Sequence, residues 1–100
     1  MNDFKERLQS LYERIPRRHT PDNVKEAYSI LDDYEDLLKD MEADDAYANH
    51  IAPFFDVLDP IRATIKKSND NKASKKMKDT LFDEGSGALK DTMEELMRLV

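Results

Sequence analysis

The stretch from Thr20 to Met41 limits what this chain can fold into more than any other. Val24, Ala27, Leu31, Tyr34, Leu38 and Met41 recur at spacings of three and four, the period of a helix with one face turned to a core. Thr20 suits an N-cap and Pro21 the first helical position, where a missing N–H costs nothing. No Gly or Pro falls between residues 22 and 52. A helix of this length is about 33 Å long at 1.5 Å per residue, so its apolar face needs partners of similar reach.

The remaining elements read as those partners. Phe4, Leu8, Leu11, Tyr12 and Ile15 form a stripe on a first helix, Asp3 to Ile15, which Pro16 stops. After Met41 the apolar phase is lost, and Glu42 to Asp45 reads as a turn, with Asp44 or Asp45 capping the next helix. Tyr47, Ile51, Phe54, Leu58, Ile61 and Ile65 then hold a regular stripe straight through Pro53 and Pro60. That pattern predicts one element keeping a single direction, either kinked or broken near Asp59 with Pro60 opening the second part. Ser68 to Asn71 is a polar break. A weaker helix over 72–84 carries Ala73, Met77 and Leu81, Gly85-Ser86-Gly87 reads as punctuation, and a last helix over 87–99 carries Leu89, Met93, Leu96, Met97 and Val100. The expected fold is all-α: one domain over residues 1–100, a bundle of four to five helices around a long antiparallel hairpin, with 68–84 as its candidate mobile segment.

Composition agrees with that class. Of 100 residues, 39% are hydrophobic, 38% are charged and only two are glycine, which suits a small helical domain. With no cysteine, disulfides and thiolate chemistry are excluded, and a reducing compartment fits. No apolar run reaches signal-peptide or membrane-span length, so a cytoplasmic location and no membrane partner are expected.

Charge is segregated along the chain. Residues 32–45 hold eight acids against Lys39 alone, and residues 62–78 hold seven bases against Asp70 alone. On the predicted second helix Asp32–Asp36 and Asp36–Asp40 are like-charge i,i+4 pairs, each costing about 0.2–0.5 kcal/mol in an isolated helix. A basic partner would relieve that repulsion, which makes Asp32, Asp33, Asp36, Asp40, Asp44 and Asp45 a candidate acidic docking face; a solvated face neutralised by the chain's own lysines is the plainer reading. An antiparallel hairpin would gather Arg17, Arg18, Arg62, Lys66 and Lys67 at the opposite end as a basic pole. The lysine-rich run lacks the interleaved aromatics of single-strand binders and the arginines of duplex readers, so nucleic acid is the weaker partner class. Leu89, Met93, Leu96 and Met97 would form an apolar contact surface, for example in a homodimer, if the bundle leaves them exposed.

No catalytic constellation stands out. His19 and His50 are the only histidines, neither follows a Glu at metal-bundle spacing, and no nucleophile elbow, P-loop or EF-hand pattern occurs. The expectation is a protein that is not an enzyme and holds no metal or cofactor. It would be a binding module that regulates or inhibits a larger protein through a charged surface. Phage- and plasmid-type inhibitors, antitoxins and immunity proteins share this size and composition, an analogy of composition only. The alternatives are a structural homo-oligomer built on the C-terminal helix and a nucleic-acid accessory protein using the lysine-rich segment.

Overall fold

In a computed structural model, which describes residues 3–16 and 19–100 (Asp3 by its backbone only), five helices run in the order α1 Asp3–Arg14, α2 Pro21–Glu42, α3 Ala52–Asp56, α4 Leu58–Ser68 and α5 Lys75–Met97. No strand occurs among the described residues. The fold is an all-α bundle in which α4 and α5 form the most extensively packed pair and α2 packs against α1, α3 and α4. Thr20 caps α2 by accepting a hydrogen bond from the Asn23 backbone N–H at 3.0 Å. All six residues of its predicted stripe are buried, joined by Ile30 and Leu37. The buried face is wider than a single seam because α1 covers one flank and α3–α4 the other.

The prolines are accommodated by restarting the helix. Pro53 is the second residue of α3 and Pro60 the third of α4, positions where an N–H would have no partner inside the helix anyway. The break therefore falls at Val57, two residues earlier than Asp59 and Pro60 suggest. The Ile61 N–H reaches the Val57 carbonyl at 3.2 Å as the first bond of α4, Val57 caps both helices, and Ile51, Leu58, Ile61 and Ile65 all enter the core. The turn before α3 is built by Asp44, whose carboxylate accepts from the Ala46 backbone N–H at 2.9 Å. Tyr47 packs edge-on to Phe4 with ring centroids 5.7 Å apart, tying that turn to the start of α1.

The largest departure from the expected chain is α5. Gly85-Ser86-Gly87 does not end a helix; α5 runs through it for 23 residues. The reason is a helix crossing. A Cβ on Gly85 would sit 2.7 Å from Ile65 Cγ1, so glycine lets α5 approach α4 closely where any side chain would push them apart. Continuity also resets the register: the core takes Phe82, Leu89, Met93 and Leu96, while Met77 and Leu81 lie off that face, Met77 being 56% exposed. The buried Tyr34 hydroxyl meets the Thr92 hydroxyl at 3.1 Å, joining α2 to α5. The molecule measures 45 × 22 × 18 Å, drawn out along the two long helices.

Candidate interaction surface

The acidic face of α2 is divided between two neighbours. Arg7 and Arg14 lie seven residues apart on α1, as do Asp40 and Asp33 on α2, and the antiparallel register brings them together. Arg7 meets Asp40 at 2.7 Å and Arg14 meets Asp33 at 2.9 Å. Arg14 also reaches Glu26 at 2.9 Å. On the other flank Arg62 of α4 holds Asp32 at 3.1 Å and Glu35 at 3.0 Å. The Arg14 pKa is raised, first by its hydrogen bond to Asp33 and then by that to Glu26. For Arg62 burial works to lower the pKa, but Glu35 and Asp32 together outweigh it and raise the value. The neutralising residues are thus arginines of adjacent helices, with Lys39 adding one long contact of 4.0 Å to Glu35.

Of the predicted docking acids, Asp32, Asp33 and Asp40 are engaged within the chain and Asp44 builds a turn. Asp36 and Asp45 are exposed with no ion pair among the described residues, and Asp36 borders a hollow of about 440 Å³ between α1 and α2 with Glu6 and Ser10. The predicted basic pole is also redistributed. Arg62 is committed to α2, Arg17 and Arg18 lie outside the described residues, and Lys66 and Lys67 are exposed in the last turn of α4. Leu89, Met93 and Leu96 are fully buried and Met97 half-buried; they belong to the core, which removes them as a contact surface.

What remains chemically open is the end of the molecule where α4 leads into α5. Lys66, Lys67, Lys72, Lys75 and Lys76 are exposed, Lys78 is half-exposed, and none has an acidic partner within ion-pair distance among the described residues. Ser74 caps α5 by accepting from the Met77 backbone N–H at 3.2 Å, so Lys75, Lys76 and Lys78 stand on regular helix while Lys72 lies in the turn before it. Lys76, Met77, Thr80 and Leu81 border a shallow apolar hollow of about 240 Å³.

A second hollow of about 360 Å³ opens further along α5, floored by Pro53, Val57, Pro60 and Ala88 and rimmed by Asp56, Asp91 and Glu95. Sequence reasoning missed both. The signal was there, since Met77, Leu81, Glu84, Ala88, Asp91 and Glu95 repeat at spacings of four and three. It becomes readable only once Gly85-Ser86-Gly87 is known to lie inside a helix.

Among the described residues no three His, Asp or Glu side chains converge as a metal site, and no helix is long and apolar enough to cross a membrane. No protein-family model, curated protein or solved structure matches this chain.

Proposed function

We propose that this chain is a non-enzymatic protein-binding module of a reducing, cytoplasmic compartment that regulates or inhibits a larger protein by docking on an acidic surface of it. The contact is the lysine-bearing end of α4–α5. The observation that carries this reading is the contrast in pairing: α2's acids are largely answered by Arg7, Arg14 and Arg62, while Lys66, Lys67, Lys72, Lys75, Lys76 and Lys78 form no ion pair among the described residues. Unpaired, exposed charge speeds encounter with an oppositely charged partner. Exposed Met77 adds an apolar, adaptable contact at its centre.

Affinity capture from the native host tests the reading. The wild type, K76E/K78E and D32K/D36K/D40K are compared as baits. The expected result is one partner held by the wild type and the α2 variant, lost with K76E/K78E, and released as salt is raised. A partner retained by K76E/K78E but lost with the α2 variant would return the docking site to the acidic face.

A further inference from the structure

The two hollows on α5 belong to one helix face, and the charges at its ends are opposite. Met77, Leu81, Glu84, Ala88, Asp91 and Glu95 share a single stripe, with Leu81 half-buried and the other five exposed. Its spacings of 4, 3, 4, 3 and 4 read the same in both directions. The N-terminal half carries Lys76 and Lys78 beside Met77; the C-terminal half carries Asp91 and Glu95 beside the groove floored by Pro53, Val57 and Pro60. Laid antiparallel on a copy of itself, such a stripe sets Met77 level with Glu95, Leu81 with Asp91 and Glu84 with Ala88. It does so twice, about a two-fold axis. Gly87 flanks the centre of the stripe, and a Cβ there would meet nothing within 4 Å, so beside the central Glu84 and Ala88 this flank is open.

We infer that the occupant of this face is a second copy of the chain, the lysine end of each α5 seated in the acid-rimmed groove of the other. Met77 enters the apolar floor, and Lys76 and Lys78 meet Asp91, Glu95 and Asp56 of the groove. Lysine meets acid at both ends of the contact, and between them the register sets Leu81 against Asp91 and Ala88 against Glu84. The inference rests on the lysine end being a docking surface, and it adds a consequence. The dimer covers the same lysines that a larger acidic partner would take, so that partner must displace the second copy, and self-pairing sets the threshold for binding.

Sedimentation equilibrium across a range of protein concentrations tests it, using the full chain, K76E/K78E, D91K/E95K and their equimolar mixture. The wild type is expected to pass from monomer to about twice the monomer mass with rising concentration, with a dissociation constant at least about tenfold weaker in 0.5 M than in 0.05 M salt, because exposed pairs are screened. Each variant alone places like charges at both ends and should stay monomeric. The mixture restores opposite charges at both ends and should dimerise, which also shows that both variants are folded. A wild type that remains monomeric throughout, or variants that dimerise as the wild type does, would overturn the proposal. If the wild type is monomeric yet K76E/K78E still loses a captured partner, self-pairing fails and the docking reading stands. If the mixture dimerises while the wild type captures no partner, self-pairing stands and the larger-partner reading fails.

Discussion

Along α2, Asp32, Asp33, Glu35 and Asp40 each lie against an arginine of a neighbouring helix, whereas at the start of α5 Lys75, Lys76 and Lys78 meet no acid within ion-pair distance among the described residues. The two regions look alike as charge runs. They differ in what surrounds them. α2 is flanked on both sides, so a guanidinium on α1 or α4 can fork onto its carboxylates in fixed geometry. The first two turns of α5 are largely exposed, and their lysines face water. A charge run alone therefore does not separate a face neutralised within the fold from one left open to water.

That contrast extends from charge to packing, and the strongest test of it is in the core. Leu38→Ala on α2 should destabilise by about 2–5 kcal/mol, because the side chain is fully buried. Met77→Ala at the lysine end should stay within about 0.5 kcal/mol of wild type. Chemical denaturation of both variants checks the pair, and a large loss from Met77→Ala would mean that end is packed after all.

Next comes the buried junction between α2 and α5. Burial, opposed by the hydrogen bond to Thr92 and aided by Glu95, raises the Tyr34 pKa from 10.0 to about 12. The native state therefore keeps its proton where the unfolded chain would lose it. Tyr34's contribution is intact below pH 10 and disappears as pH rises toward 12, amounting to about 2–3 kcal/mol at 1.36 kcal/mol per pKa unit. Stability measured from pH 9 to 12 in wild type and Tyr34→Phe should converge on this difference in slope. Parallel curves would show that Tyr34 does not titrate with folding.

The two glycines of α5 offer a smaller and opposite pair of effects. Gly85→Ala drives a methyl group into buried Ile65, an overpacking cost of about 1–3 kcal/mol set against a helix-propensity gain of up to about 1 kcal/mol. The net should be destabilising. Gly87→Ala meets nothing within 4 Å and should stabilise the monomer by up to about 1 kcal/mol. Thermal denaturation that moves both variants in the same direction would contradict the crossing at Gly85.

The smallest effects separate the two charge runs directly. Arg14→Ala removes a partly exposed fork onto Glu26 and Asp33 and should cost about 0.2–1 kcal/mol, less at high salt. Lys76→Ala should leave monomer stability unchanged. An equal, salt-sensitive loss from both would mean that the lysine end has partners of its own.

Much of the architecture was legible in the residues, and the failures share one cause. Thr20, Pro21 and the unbroken stripe from Val24 to Met41 define α2 by local capping and period, and Pro16 ends α1 by removing a donor. The stripe from Ile51 to Ile65 carries the direction of α3–α4, although the helix restarts at Val57. Gly85-Ser86-Gly87 misled because glycine serves turns and close helix crossings equally well, and a sequence does not say which. Reading it as a turn shifted the register of everything before it, so Met77 and Leu81 passed for core and Phe82 for a neighbour of the core. The candidate surface suffered in the same way, since Arg7 and Arg14 look like ordinary surface charges until α1 is laid against α2.

What the sequence determined by itself is the set of helices whose signals lie within a few residues of one another, because caps, prolines and apolar period act through local backbone chemistry. It took the packed fold to place a glycine pair inside α5, to answer the acids of α2 with arginines, and to leave the lysines facing water. Each of these depends on the distance between segments far apart in the chain, and that distance is set by packing.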